Sequence, residues 1–350
     1  MRIADLDITP ALALAPMEGV TDLTFRRLIR QIGGCGLTVT EFIAAKNLTA
    51  NVPEALRAAM FDDDESPISV QIYGREPELM ADAARYVADL GADLVDLNMG
   101  CPSKKVCARS GGSALMKEPE LARKIVRKMR AAVEIPFTVK MRSGWNSENK
   151  NAPEIATMCQ DEGVDAVTVH WRTREDRYKG VREMDTIATI VDVLQIPVMA
   201  NGDIIDVVSA QSTLSETGAA GLMIGRGAIR DPWVFRKIEN AMAGRPPFEV
   251  QLDEKERVLL GYYDAMRPTF RTDKAALGRM KKIARYFTAG LPNGAELRQA
   301  IFHSQSVDEA YDRVRTYFDA VRDTHGDGTP PCSRVPRLSS PAARIRAPSC

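Results

Sequence analysis

Eight short apolar runs recur between Ala11 and Ile224, and stretches with the 3.6-residue apolar spacing of amphipathic helices separate them. Their spacing is close to the roughly 30 residues of a βαβ unit. Eight buried strands that each precede a helix predict a (β/α)8 TIM barrel, and a doubly wound open sheet is the alternative. The predicted strands are ALALA ending at Ala15, GLTVTEF from Gly36, ISVQIYG from Ile68, DLVDLNMG from Asp93, FTVKMR from Phe137, DAVTVHW from Asp165, IPVMANGD from Ile196 and AAGLMIGRG from Ala219, and the clearest helices span Pro77 to Leu90, Pro119 to Val133 and Ile204 to Leu214.

Polar residues interrupt these runs mainly at their carboxyl ends, which converge on one mouth of a barrel. A single polar strand end is commonly structural, but ten spread over eight strands predict one binding site. These residues are Met17, Glu41, Gln71, Asn98, Lys140, Arg142, His170, Asn201, Asp203 and Arg226.

The fourth run, LVDLNMGCP, ends abruptly in Asn98, Gly100, Cys101 and Pro102. It therefore places a thiol where the active sites of barrels lie. The alternative is a turn with a buried and inert cysteine. The long segment from Asn98 to Lys117 has the size of a substrate-covering loop.

A candidate phosphate site follows the last two strands. Gly225 and Gly227 flank Arg226, and glycine backbones with a guanidinium suit an anion. Phosphate sites of barrels commonly lie after strands seven and eight, where Asn201, Gly202 and Asp203 also occur. The alternative is a simple turn.

The alternation stops at Gly244-Arg245-Pro246-Pro247, which predicts a domain boundary near residues 243 to 251. Helical patterns follow at Asp253 to Arg267, Arg271 to Thr288, Gly294 to Phe302 and Val307 to Arg322. The helix predicted from Arg271 to Thr288 has an apolar face and a basic face. The basic face is either exposed to solvent or binds a phosphate backbone. We predict RNA contacts at Arg271, Lys274, Lys281, Lys282 and Arg285. Residues 326–350, rich in Pro, Ser and Arg, predict a disordered tail.

Charge and cysteine content limit the classes of partner and compartment. Lys plus Arg equals Asp plus Glu at 47 each, so any RNA-binding surface must be local. The six cysteines form no CxxC pair and no signal-like apolar stretch follows Met1, so we expect reduced thiols in the cytoplasm. No apolar run approaches the roughly 18 residues of a membrane helix. We expect no membrane or metal binding, and a monomer.

Several motifs together resemble the tRNA-dihydrouridine synthases, closest to the bacterial B-type branch. They are APMEGVTDLTFR, VQIYG, DLNMGCP, VKMRSGW, VHWRTR, ANGDI and IGRG, and the resemblance continues through RMKKIARYFTAGLPNGAELR. It implies a barrel that uses FMN and NADPH to reduce the C5=C6 bond of particular uridines in tRNA. Together with the boundary near residues 243 to 251 and the composition of the end of the chain, it divides the chain into a catalytic domain over 1–243, a helical tRNA-binding domain over 252–323 and a disordered tail over 326–350.

The resemblance implies a role for individual residues. Cys101 matches the proton donor, and Asn98, Arg142 and Tyr178 match positions near the uracil. The implied FMN contacts are Pro16, Met17, Glu18, Gln71, Lys140, His170, Asn201, Gly202, Asp203, Gly225 and Arg226. Two residues depart from the family pattern, since Trp171 replaces a small residue and Ile283 replaces a frequent histidine.

The chemistry of uracil reduction agrees with these assignments. Hydride must reach C6 and a proton must reach C5, and a thiol with a pKa near 8.5 is mostly protonated at neutral pH. Lys140 and His170 could stabilise the negative charge on a reduced flavin. Two other classes stay open: an FMN barrel acting on a small molecule, as a dihydroorotate-dehydrogenase-like enzyme does, and a catalytically silent RNA-binding protein.

Overall fold

The computed structural model describes residues 1–107, 111–177 and 179–325. The predicted tail over 326–350 therefore lies outside the described residues. Within them, the strands are β1 Arg2–Ile3, β2 Leu6–Asp7, β3 Leu12–Leu14, β4 Thr38–Val39, β5 Ile43–Ala44, β6 Ile68–Tyr73, β7 Leu94–Met99, β8 Phe137–Arg142, β9 Ala166–His170, β10 Val198–Asn201 and β11 Gly221–Ile224.

Helices follow most of these strands. They are α1 Leu23–Ile32, α2 Ala45–Thr49, α3 Pro53–Ala59, α4 Pro77–Asp89, α5 Lys104–Cys107, α6 Pro119–Arg130, α7 Ala152–Asp161, α8 Asp185–Val193, α9 Val207–Thr217, α10 Arg226–Arg230, α11 Val234–Met242, α12 Leu252–Met266, α13 Asp273–Phe287, α14 Gly294–His303 and α15 Val307–His325, with 3-10 helices at Gly112–Lys117 and Arg267–Thr269. No helix in the described ranges is long and apolar enough to cross a membrane.

The predicted barrel is confirmed. Parallel strands pair in the order β3-β11-β10-β9-β8-β7-β6-β4, and β5 pairs with β6 beyond β4. The two ends of this series meet, since Ala13 bridges Leu37 and the Leu14 amide donates to the Leu37 carbonyl at 2.9 Å. This contact excludes the doubly wound open sheet, whose edge strands would lie far apart.

Several predicted helices have bounds that differ from the observed ones by one to three residues, and the largest shift of a helix start is that of α9. The apolar pattern predicted a helix from Ile204, but α9 begins at Val207 because Asp206 caps it. The Asp206 carboxylate accepts from the Ser209 amide at 2.8 Å, and the Ser209 hydroxyl accepts from the Asp206 amide at 3.0 Å. A capping box fixes a helix start more strongly than the apolar period does. The helix ends before Gly218, whose φ of 65° is left-handed.

The described residues form two apolar cores, one outside the ring of strands and one inside it. The larger core lies between the strands and the outer helices and extends into the C-terminal helices. The smaller core fills the barrel interior near the amino ends of the strands, where Leu94, Ala166 and Met199 pack with Ile3 and Ile8 of the N-terminal segment. Burying one large apolar side chain contributes about 1.5–3 kcal/mol, so this end is firmly closed. Polar side chains line the opposite mouth, at the carboxyl ends of the strands.

The C-terminal helices pack against the barrel. Helix α12 packs on α1, and α13 packs on α10. The predicted apolar face of α13 is confirmed, because its members are buried. They are Ala276, Leu277, Met280, Ile283, Ala284 and Phe287. The segment from residue 243 to 251, where we predicted a boundary, joins α11 to α12.

Candidate functional site

The strand register gathers the predicted polar residues at one mouth of the barrel. Asn98 of β7 lies beside Lys140 of β8. His170 of β9 lies beside both Arg142 and Asn201. Because the pleat alternates, residues two apart along a strand face the same side. Amide, ammonium, guanidinium and imidazole groups therefore lie on neighbouring strands at the same mouth of the barrel.

A buried hydrogen-bond chain runs across β6 and β7. The Gln71 amide nitrogen donates to Asp96 at 2.6 Å, and the Asn98 amide nitrogen donates to the Gln71 oxygen at 2.6 Å. The Asn98 oxygen then accepts from the backbone amide of Cys101 at 2.9 Å and from that of Gly100 at 3.0 Å. Since Asp96 accepts hydrogen bonds, it sets the direction of both side-chain amides. The chain thereby fixes the backbone that carries Cys101.

Cys101 lies at the start of the loop after β7 and is 9% exposed. Its carbonyl accepts from the Ser113 hydroxyl at 2.9 Å and from the Ser113 amide at 3.2 Å, which folds the loop back on itself. Gly112 is needed at this fold, because its φ is +58° and a Cβ would lie 3.0 Å from the Cys101 carbonyl oxygen. Burial raises the pKa of the Cys101 thiol. The group is therefore a protonated thiol at neutral pH.

Three basic side chains lie close together beyond Cys101. The Lys140 ammonium donates to the Asn201 side-chain oxygen at 2.9 Å, and burial, aided by Arg142, lowers the pKa of Lys140 to about 8. Burial also lowers the pKa of His170 well below its ordinary value, and Arg142 and Lys140 add to that effect. The His170 Nδ1 accepts from the Arg172 amide at 3.1 Å, so neutral His170 carries its proton on Nε2.

The loops after β9 and β10 meet in a charged cluster. Asp203 accepts from Arg172 at 2.6 Å and from Arg226 at 2.7 Å. Trp171 packs over Gly202, where a Cβ would lie 2.5 Å from the indole. Two buried donors in this cluster, Arg172 Nη1 and Trp171 Nε1, have no hydrogen-bond partner among the described residues.

The loop after β3 supplies Pro16, Met17 and Glu18, of which Glu18 is exposed. Met17 lies close to Gly225, since a Cβ on that glycine would be 3.7 Å from the Met17 sulfur. Glu41 accepts from the Val20 amide at 3.1 Å and so holds the same loop. Residues that follow the first, second and last barrel strands thus lie on one side of the mouth.

The three positions expected near uracil have different surroundings. The side-chain amide of Asn98 forms hydrogen bonds with Gln71 and with the backbone amides of Gly100 and Cys101. Arg142 is buried and donates to the carbonyls of Gly100 and Thr173, each at 2.8 Å, so it ties the Cys101 loop to the loop after β9. Tyr178 lies outside the described residues.

The predicted RNA contacts lie on or just before α13. Arg271, Lys274, Lys282 and Arg285 are exposed, and Lys281 is half-buried. Ile283, the second departure from the family pattern, is buried. The exposed cations therefore form a face opposite the apolar face that packs on the barrel.

Three residues that we did not single out take part in the site. Asp96 directs the amide chain, Arg172 connects His170 to Asp203, and Arg279 of α13 donates to Asp22 at 3.0 Å and to the Val20 carbonyl at 3.3 Å. Asp96 offered a signal, because it lies two residues before Asn98 on the same face of an apolar strand. Over the described ranges, no group of His, Cys, Asp and Glu side chains is placed to hold a metal ion.

The chain matches one protein family over most of its length. The family model described as dihydrouridine synthase matches residues 13–322. "tRNA-dihydrouridine synthase B" of Pseudomonas syringae pv. tomato is 40% identical over 91% of this chain and 94% of its own length. "Probable tRNA-dihydrouridine synthase" of Rickettsia conorii is 36% identical over 93% of this chain and 98% of its own. A solved structure of a variant of NCR from Zymomonas mobilis aligns with a TM-score of 0.49 and 16% identity, covering 73% of this chain and 93% of that one.

Proposed function

Because the chain belongs to the dihydrouridine synthase family, in its bacterial B-type branch, we propose that it uses FMN and NADPH and that Cys101 donates the proton. The protein is an oxidoreductase that forms dihydrouridine in tRNA. The observation that best supports the proposed mechanism is the placement of Cys101. It lies at a barrel mouth near Lys140 and Arg142, on a backbone fixed by Asn98.

The residues of the mouth fit a flavin phosphate. Burial lowers the pKa of His170, and Arg142, Lys140, Arg172 and Arg226 lower it further, so all four cations lie near this imidazole. The unpartnered donors of Arg172 and Trp171 need acceptors, and phosphate oxygens are strong ones. We propose that Arg226 and backbone amides of two segments, one at Gly225 and one at Asn201, Gly202 and Asp203, hold the phosphate end of FMN, and that Pro16, Met17, Glu18, Gln71, Lys140 and His170 hold its ring.

Bound FMN would supply the hydride that uracil receives at C6. Lys140 would place positive charge at the ring, and its pKa of about 8 keeps it mostly protonated at neutral pH. Neutral His170 would donate a hydrogen bond through Nε2. The protonated Cys101 thiol would deliver the proton to C5. We propose that Asn98, Arg142 and Tyr178 line the uracil position, with the first two acting largely by fixing the loop that carries Cys101.

The substrate uridine belongs to a folded RNA, so it must leave its stack to reach the mouth, at a cost of a few kcal/mol. We propose that the exposed cations of the 252–323 helical region offset this cost by binding phosphates at a distance. The barrel over 1–243 would carry the chemistry, in a cytoplasmic monomer. A small-molecule reductase would have no use for that basic face.

The test combines cofactor and product analysis. The purified protein should be yellow, and FMN should be released when it is denatured. With NADPH, it should form dihydrouridine in tRNA that lacks the modification, while free uridine should react far more slowly. A folded preparation that takes up no FMN would overturn the proposed cofactor. Comparable kcat/KM for free uridine and tRNA would instead favour a small-molecule enzyme.

A further inference from the structure

A cleft of 490 Å³ lies where α13 and α14 pack together, apart from the barrel mouth. Its lining residues are Arg285 from α13 and Arg298, Gln299, Phe302 and His303 from α14. The set contains two guanidinium groups, an amide, an imidazole and one aromatic ring, and no carboxylate. None of the α14 residues belongs to the basic face predicted from the sequence.

Phe302 is the unusual member of this set. It is 61% exposed, whereas the other large apolar side chains exposed in the described ranges are aliphatic. The neighbouring positions Leu297 and Ile301 are buried and hold α14 in the core. Phe302 therefore does not serve the packing of its helix, and its ring presents apolar surface to solvent beside two cations.

The charges around Phe302 are uncompensated within the part of the chain that the structure describes. Arg285 and Arg298 form no ion pair there, whereas Arg267, Arg313 and Arg322 in the same helical region each pair with a carboxylate. His303 uses Nδ1 against the Gln299 carbonyl at 2.8 Å, which leaves Nε2 for a ligand. The cleft thus combines two cations with an exposed ring.

We propose that this cleft is a nucleotide subsite for an unpaired nucleotide of tRNA, with its base stacked on Phe302 and its phosphate bound by Arg285 and Arg298. The inference rests on the proposed function, because it assigns tRNA as the partner. One ring with two free cations suits a base and its phosphate, whereas a protein partner would require a larger apolar patch. The nucleotide must be unpaired because a paired base has no free face to stack.

Tests of the ring compare Phe302→Ala, Phe302→Leu and Phe302→Trp in the full-length protein. These substitutions lie on the surface, so the fold should be unchanged. Stacking on an aromatic ring is worth about five- to 150-fold in affinity for each base. We expect Phe302→Ala and Phe302→Leu to weaken tRNA binding about fivefold or more, and Phe302→Trp to retain it. Fluorescence anisotropy with labelled tRNA measures the effect.

Tests of the cations use the salt dependence of binding. Each lost phosphate contact should lower the slope of log K against log salt by about 0.7–0.9. We expect this change in Arg285→Gln and Arg298→Gln. Arg85→Gln is the matched control, since Arg85 is exposed on α4 and its loss changes the net charge equally. Phe302→Leu should weaken binding without changing the slope. Single-stranded oligouridine should respond to these substitutions, and a duplex of equal length should not.

Several results would overturn the subsite. One is wild-type tRNA affinity in Phe302→Leu, since leucine keeps the apolar contact but removes the ring. Another is an equal loss on duplex RNA. A change of oligomeric state in Phe302→Ala without RNA would assign the cleft to a second copy of the chain. Failure of the proposed function is separate: the intact enzyme would then form no dihydrouridine, whatever the cleft variants do to RNA affinity.

Discussion

Asp96→Asn should separate the negative charge of the buried Asp96 carboxylate from its role as a hydrogen-bond acceptor. Asp96 accepts from Gln71 at 2.6 Å and from Thr138 at 2.5 Å. An asparagine oxygen can still accept from Gln71, and its nitrogen can donate to the Thr138 hydroxyl, which rotates to accept. The direction of the amide chain toward Asn98 and Cys101 is then preserved, while the charge is lost. Asp96→Ala removes the acceptors as well.

The magnitude follows from burial and from the lost acceptors. Burial is the main reason that the pKa of Asp96 is raised from 3.8 to about 6, and this rise corresponds to about 3 kcal/mol. Because the folded-state pKa is the higher one, the folded protein binds the extra proton between pH 4 and 6. This group therefore lowers the free energy of unfolding as pH rises through that range. Asp96→Asn should remove this decrease in the free energy of unfolding. Asp96→Ala leaves two buried donors unpaired, which costs about 1–3 kcal/mol each.

Urea unfolding between pH 4 and 8 measures both effects. The difference in unfolding free energy between wild type and Asp96→Asn should change by about 2–3 kcal/mol between pH 4 and 7, in favour of wild type at the acidic end. Asp89→Asn, an exposed substitution on α4, should show no such change. The Asp96 charge also raises the pKa of Lys140, so the variant should lose activity at a lower alkaline pH. Parallel stability curves for wild type and Asp96→Asn would refute the reasoning.

Three further predictions concern separate parts of the molecule. Cys101→Ala should slow dihydrouridine formation about 10²- to 10⁴-fold while NADPH still reduces the flavin, and Cys107→Ala should have less effect; wild-type turnover in Cys101→Ala would remove that thiol from the mechanism. Charge reversal on α13 should weaken tRNA binding and lower its salt slope without changing NADPH oxidation, and an unchanged slope would make this face merely solvated; the residues are Lys274, Lys282 and Arg285. Glu65→Gln should leave the buried Arg26 guanidinium uncompensated and cost about 3–5 kcal/mol in urea unfolding, and a loss below about 1 kcal/mol would contradict this.

The barrel could be predicted because its signals are local and repeated. Each buried strand is a continuous apolar run, and polar residues mark the end that faces the mouth, as at Asn98 and Lys140. The start of α9 was misplaced because Asp206 and Ser209 act through a cap, which the apolar period does not contain. Local chemistry of this kind is visible in the sequence, but it competes with the periodic pattern.

The direction of hydrogen bonds within the site could not be predicted in the same way. Gln71 and Asn98 were both expected at the mouth, but their partners depend on register between β6 and β7. Only that register places Asp96 against Gln71 and so turns the Asn98 oxygen toward Cys101. The sequence therefore predicts which groups reach the mouth, whereas tertiary pairing decides which atoms they present.

Arg279 shows how far the helical region and the mouth depend on each other. It lies on the buried side of α13 between Ala276 and Ile283, and its guanidinium donates to the Gly19 and Val20 carbonyls, to Asp22 and to the Tyr262 hydroxyl. These contacts hold the loop that carries Met17 and Glu18. Truncation after Ala243 would therefore remove the partners of this loop together with the proposed RNA-binding face. Substitution of exposed cations on α13 is the cleaner test of RNA binding, because it leaves Arg279 and the mouth in place.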